Sequence, residues 1–141
     1  MTPNWMGLVT AAATFFGIWL GHVGVRKIEA ASPSLRLPAL SALALGAALE
    51  IGSLLSASPY LSGALGIVGT TLLWDALEFR RQHQRVAHGH APANPNNPRH
   101  ARLLAENRSA TTRDWLDRDP VGRPVSADEA LALVESREHL I

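Results

Sequence analysis

The segment LPALSALALGAALEIGSLLSA, residues 37–57, contains a single charged residue, Glu50, and sets the fold class of the chain. A helix that crosses a hydrocarbon core of roughly 30 Å needs about 20 mainly apolar residues. A helix of a soluble bundle needs a polar face, and residues 37–49 contain no charged or amide side chain that would form one. The segment therefore predicts a membrane-spanning helix and argues against a soluble helical bundle.

Two further windows, residues 5–25 and 60–79, have the same apolar character, and residues 1–25 contain no charged side chain. Charged residues and prolines separate the first window from the second, and Ser56, Ser58 and Pro59 separate the second from the third. A secretory signal peptide begins with basic residues and has an apolar core of about 7–15 residues, so we expect the first window to be a permanent anchor. The sequence predicts an all-α fold with three transmembrane helices, the last two forming a hairpin.

The distribution of basic residues predicts the orientation of these helices. Eighteen of the 25 charged residues lie in residues 80–141. Basic residues follow the first and third windows, at Arg26, Lys27, Arg36, Arg80, Arg81 and Arg85. Because basic flanks remain in the cytoplasm, we expect the N-terminus outside and the C-terminal tail inside.

This topology divides the chain into two parts. Residues 1–88 form the membrane domain, with the third helix continuing to residue 88 as a cytoplasmic extension. Residues 89–141 form a Pro- and Asn-rich linker and a partly helical cytoplasmic tail, with short helices expected at about 99–108 and 127–139.

Three ionisable side chains, His22, Glu50 and Asp75, lie within the predicted spans. At a rise of 1.5 Å per residue, His22 and Asp75 lie about 4–6 Å from the cytoplasmic ends of their helices, so a contact between them is allowed. Glu50 lies about 20 Å from its cytoplasmic end, roughly 14–15 Å deeper than either. We expect Glu50 to be protonated or paired with a cation of another protein. One hypothesis makes Glu50 and His22 steps of a proton or ion path; the other makes all three packing or interfacial residues.

The sequence supplies little evidence for catalysis or for a cofactor. It has no cysteine, which excludes disulfides and thiolate chemistry, and its net charge of +1 argues against a nucleic-acid partner. No phosphate-binding glycine loop, nucleophile elbow or HExxH motif occurs, so we expect a protein that is not an enzyme. His22 as a haem ligand lacks a second histidine in the spans. The loose cluster formed by His83, His88, His90 and His100 matches no metal motif, and we expect it to meet anionic lipid headgroups without a metal.

Two groups of residues resemble a known family. The first is Gly7-Leu8-Val9, Ala13-Thr14-Phe15, His22 and Val25-x-Lys27-x-Glu29; the second is Trp74, Glu78, Arg85-Val86, Gly89 and Pro92-x-Asn94-Pro95. Together they resemble a family of small bacterial three-helix membrane proteins described as a domain of unknown function, over about residues 7–95. The resemblance implies family positions on the cytoplasmic side, at His22, Lys27, Glu29, Trp74, Glu78, Gly89 and Pro92. His90-Ala91 stands where an aromatic pair usually follows the glycine, and the tail is longer than in short members. The family brings no established activity.

Small residues four positions apart recur on all three predicted helices, as Ala13/Gly17/Gly21, Ala44/Ala48/Gly52 and Ser62/Gly66/Thr70. Such residues let helix backbones approach closely in lipid. We therefore expect a non-catalytic accessory subunit that packs against a larger complex of the bacterial inner membrane. Its expected partners are lipid and that complex, or a second copy. The alternative is a small self-associating proton or ion carrier that uses Glu50 and His22.

Overall fold

A computed structural model describes residues 4–114 and residue 128, and the described residues fold as helices and loops without strands. The helices are α1 (Met6–Ala31), α2 (Arg36–Leu55), α3 (Pro59–Ala87) and α4 (Pro98–Glu106). The first three are long and apolar enough to cross a membrane, which confirms the prediction of an all-α chain with three such helices. The helix expected at 127–139 lies outside the described residues apart from residue 128.

The first helix continues past the window that the sequence assigned to the membrane. Its last six residues include Arg26, Lys27 and Glu29, which are compatible with helical backbone although they are costly in lipid. The helix ends at Ala31, where the Ser32 N–H donates to the Ile28 carbonyl at 2.8 Å and Pro33 follows. The charged residues therefore mark the end of the apolar portion of α1 rather than the end of the helix.

The third helix is the longest element, and both of its ends have recognisable sequence signals. Ser58 is the N-cap, with its Oγ accepting from the Leu61 N–H, and Pro59 follows at the first helical position. At 1.5 Å per residue the 29 residues extend about 44 Å, longer than a hydrocarbon core. The apolar portion, residues 59–79, is therefore followed by a polar extension from residue 80 to Ala87.

The three long helices pack with α3 in the middle, in contact with both α1 and α2. Glycines make the closest approaches: a Cβ on Gly46 would lie 2.9 Å from the Gly69 carbonyl oxygen, and one on Gly17 would lie 3.2 Å from the Thr71 hydroxyl. On α2, Ala44 and Ala48 of the predicted small-residue series are exposed instead. Gly52 of the same series does face α3, since a Cβ there would lie 3.5 Å from Leu65, but the closer approach is at Gly46, outside the series.

The outer surface of the helices is apolar. Large hydrophobic residues exposed by a third or more occur from Trp5 to Leu77, among them Phe15, Leu54 and Leu55. The buried apolar core is small in comparison and centres on Val25, Ala42 and Phe79. A contiguous apolar surface of this extent is typical of a protein surrounded by lipid or by membrane partners.

A second small core lies at the opposite end of α3 from Ser58. It joins Val86 to Ala91 and Ala93 of the loop after α3, with Leu103 and Leu104 of α4 packed against them. The loop and α4 thus fold back onto the polar ends of α1 and α3. This arrangement creates the candidate site.

Candidate functional site

A buried ion pair lies where the end of α1 meets α3 and α4. Glu29 on α1 is fully buried, and its Oε1 accepts from Arg99 Nη1 at 2.6 Å and from His100 Nε2 at 3.0 Å. The Nδ1 of His83, on the polar extension of α3, lies 3.4 Å from the same oxygen and also contacts Arg99. We call Glu29, His83, Arg99 and His100 the Glu29 cluster.

Hydrogen bonds fix the protonation state of His100. The backbone N–H of Asn94 donates to His100 Nδ1 at 2.9 Å, so this nitrogen must carry a lone pair. The ring proton therefore resides on Nε2 and points to Glu29. His100 is thus a neutral donor, and the positive charge facing Glu29 is that of Arg99.

The same segment of chain satisfies the carbonyl groups at the end of α1. The last carbonyls of a helix have no partner within the helix. Arg99 Nη2 donates to the Glu29 carbonyl at 2.5 Å, and the side-chain amides of Asn94 and Asn97 each donate to the Ala30 carbonyl at 3.0 Å. The Asn97 amide also reaches the Ser32 carbonyl at 2.9 Å. The Arg99 charge lies at the negative end of the helix dipole, where a cation is favourable.

The local sequence explains how α4 reaches this position. Asn97 is its N-cap, with Oδ1 accepting from the Arg99 N–H at 3.0 Å, and Pro98 occupies the first helical position. The single Asn97 side chain therefore begins α4 with its oxygen and caps α1 with its nitrogen. Helix α4 begins at Pro98, close to the expected residue 99.

The cluster contains the donors of a metal site but is arranged as an ion pair. One donor atom from each of Glu29, His83 and His100 lies within 4.8 Å of the others. The Arg99 guanidinium occupies the space between Glu29 and His83, and Nδ1 of His100 accepts a hydrogen bond where a metal-bound histidine donates one. The arrangement therefore favours the guanidinium over a divalent cation. Of the predicted histidine cluster, His88 and His90 lie apart and stack on each other at the exposed end of α3.

The environment of His83 disfavours its protonation. Burial, and then the positive charge of Arg99, lower the pKa of His83 below its usual value, although the Glu29 carboxylate acts in the opposite direction. The Arg99 guanidinium can only donate, so Nδ1 of His83 must accept. The cluster therefore contains one carboxylate, one guanidinium and two neutral imidazoles.

A second set of charged side chains lies along the polar end of α3. Glu78 pairs with Arg85 at 2.6 Å and with Arg81 at 3.7 Å. The guanidinium of Arg81 also lies 4.7 Å from the centre of the Trp74 ring. Trp74 and Glu78, both predicted site residues, are thus linked through Arg81.

His22 and Asp75 are close neighbours without a hydrogen bond. Both line the same crevice between α1 and α3. They interact electrostatically, and no hydrogen bond joins them. Asp75 is only 8 % exposed, and a Cβ on Gly21 would lie 2.7 Å from its Oδ2. The absence of a side chain at residue 21 therefore gives the carboxylate its place against α1.

Glu50 has a partner that was not predicted from the sequence. The Thr70 hydroxyl donates to Glu50 Oε1 at 2.7 Å, across the contact between α2 and α3. Thr70 lies on α3, one helical turn from Gly66, and faces α2. Glu50 is half-buried and separate from both the Glu29 cluster and Asp75.

Of the remaining predicted positions, Gly89 terminates α3, and Pro92 and Lys27 line a crevice. Gly89 has φ +74°, and the Gly89 and His90 N–H groups donate to the carbonyls of Val86 and Arg85, a pattern that terminates α3. Pro92 and Lys27 border one shallow crevice together with Glu29. Arg99, Asn94 and Asn97 were not predicted as partners of α1, although the Asn-Pro pair at 97–98 is a sequence signal for a helix start there.

Residues 4–97 match the family described as "Domain of unknown function (DUF4491)". The chain belongs to this family. No curated protein and no solved structure matches the chain. The DUF4491 match contains Glu29, His83 and the capping asparagines, whereas Arg99 and His100 of the Glu29 cluster follow it.

Proposed function

We propose that this DUF4491 protein is a non-catalytic accessory subunit of a larger complex in a bacterial inner membrane. Its N-terminus would lie outside and its tail in the cytoplasm, as the basic residues suggest. The observation that carries the proposal is the Glu29 cluster. Its charged groups bind one another and hold the loop and α4 against α1, an arrangement that stabilises a scaffold.

The apolar faces of α1 and α2 are the surfaces available to a membrane partner. Leu54 and Leu55 of α2 are 85 % and 80 % exposed, and Phe15 of α1 is 65 % exposed. In lipid, association depends on close packing of such faces rather than on hydrophobicity. We expect a partner to cover part of this surface.

Photo-crosslinking in native membranes tests this proposal. A benzophenone amino acid at Leu54 should yield a discrete crosslinked product with one membrane protein, and the same protein should copurify in fixed ratio after mild detergent extraction. The matched control is the benzophenone residue at Val25, which is 4 % exposed and should give no such product. Recovery of the chain only as a lone monomer, without a crosslink, would contradict the proposal.

A second candidate is a self-associating proton or ion carrier that uses Glu50 and His22. The bond between Glu50 and Thr70 favours it, because it places a hydrogen-bonded carboxylate at the contact between two membrane helices. Purified protein in proteoliposomes should then conduct protons or ions, and Glu50→Gln should abolish the flux. The absence of flux from pure protein would remove this candidate.

A further inference from the structure

An apolar groove of about 400 Å³ runs between α1 and α2, with α3 as its floor. Its walls include Gly21 and Gly24 of α1 and Pro38 and Ala42 of α2, and it extends from Phe79 toward Val68. This volume is in the range of small-molecule sites. A helix, about 10–12 Å across with its side chains, would lie over such a groove rather than within it.

One ionisable residue, Asp75, lies among the residues that line this groove. Its side chain accepts no hydrogen bond from the described residues, whereas the next carboxylate along α3, that of Glu78, is paired with Arg85. The lining is otherwise almost entirely apolar, with the hydroxyls of Ser41 and Thr71 as its other polar groups. A desolvated carboxylate in such surroundings is costly unless a cation or donor reaches it.

The basic side chains that line the neighbouring crevice together with Asp75 are directed elsewhere. His22 lies in the neighbouring crevice and acts on Asp75 electrostatically without a hydrogen bond. Arg81 and Arg85 pair with Glu78, and Arg26 pairs with Asp114 at 3.3 Å. The Asp75 carboxylate and the groove thus form two parts of one site. The carboxylate can bind a cationic group, and the apolar channel can bind a hydrocarbon chain.

We propose that the Asp75 groove binds a single-chain amphiphile with an ammonium head. The head pairs with the Asp75 carboxylate, and the tail lies along the groove toward Val68, a distance of about 10 Å along α3. Gly24 of α1 leaves room for the ligand, because a Cβ there would meet no atom within 4 Å. This site is independent of the accessory role proposed above.

Native mass spectrometry of the detergent-solubilised full chain tests the proposal with dodecylammonium as the probe. Dodecanol has the same tail without the charge, and dodecyl sulfate has the opposite charge. We expect dodecylammonium to bind at least about tenfold more tightly than either. Asp75→Asn should remove this preference, whereas Glu50→Gln, which alters a membrane carboxylate outside the groove lining, should retain it.

A second pair of variants tests the groove itself without altering the charge. Gly24→Leu should fill the groove and weaken binding of dodecylammonium at least about tenfold, because the new side chain occupies the ligand volume. Gly7→Leu is the matched control, since a Cβ there also meets no atom within 4 Å and Gly7 does not line the groove. Equal binding of all three probes, or unchanged dodecylammonium affinity in both Asp75→Asn and Gly24→Leu, would overturn the proposal.

Discussion

Glu29 is the residue at the polar end of the molecule whose replacement should have a large effect on stability, because its carboxylate is fully buried against Arg99. Removing one partner of a buried ion pair leaves the other charge uncompensated, at a cost of about 3–5 kcal/mol. We expect Glu29→Ala to release residues 91–106 from α1, seen as a large rise in their amide hydrogen exchange. Lys27→Ala, two residues away and exposed, should leave the exchange unchanged. Equal exchange in both variants would contradict the assigned role.

Gly89 is the second residue whose replacement should have a defined cost. Its φ of +74° penalises any L side chain by about 1–2 kcal/mol, and a Cβ would also collide with the Ser109 carbonyl oxygen. Gly89→Ala should therefore lower the thermal unfolding midpoint in detergent. Gly7→Ala, in open surroundings on α1, should not lower it. A midpoint equal to wild type in Gly89→Ala would show that the α3 terminus adapts.

At the scale of elements, docking of the loop and α4 should depend on pH through His83. Docking lowers the pKa of His83, so the undocked state binds the extra proton more readily. Docking is then strongest above about pH 7 and weakens as the pH falls through the ordinary histidine pKa of about 6.5. The charged and titratable groups facing His83 are Glu29 of α1 and Arg99, His100, Arg102 and Glu106 of α4.

Spin labels measure this docking directly, because the chain has no native cysteine. Labels at Ser34→Cys and Ala105→Cys should show one narrow distance distribution at pH 7.5 and a broader one near pH 5. His83→Gln should reduce the change with pH, whereas His90→Gln, which alters an exposed ring, should preserve it. Distributions independent of pH in the unaltered chain would contradict the assignment.

The contact between α2 and α3 depends on the backbone approach at Gly46. A side chain there would meet the Gly69 carbonyl oxygen and Leu73 at 2.9 Å, so Gly46→Val should destabilise the helix pair by about 1–3 kcal/mol. The thermal unfolding midpoint in detergent measures the loss. Gly7→Val introduces the same side chain without a neighbour within 4 Å and serves as the control. Equal midpoints would show that α2 shifts without cost.

The elements were largely predictable from sequence, whereas their contacts were not. The scarcity of charge in residues 37–57 and 60–79 identifies α2 and α3, because all-round apolar helices have few stable environments other than lipid. The pairing of Glu29 with Arg99 joins residues 70 positions apart, and no local pattern encodes it. Depth along the helices placed His22 beside Asp75, but depth alone does not specify which faces of two helices meet.

At the scale of the whole molecule, the orientation is open to direct measurement. If the N-terminus lies outside, Ala57→Cys in the exposed loop between α2 and α3 should react with a membrane-impermeant maleimide on intact cells. Ala105→Cys, exposed on α4, should react only after permeabilisation. Labelling of both from outside, or of Ala105→Cys alone, would reverse or exclude the proposed topology.

The cap that Asn94, Asn97 and Arg99 place on α1 has a consequence for the time course of synthesis. Arg99 leaves the ribosome 70 residues after Glu29, roughly 4–14 s later at about 5–20 residues per second. Throughout that interval the nascent first helix has open terminal carbonyls and a carboxylate without its guanidinium. Closure of the polar end is therefore a late event, and a nascent chain arrested before residue 99 would be a distinct open species that insertion factors and proteases encounter first.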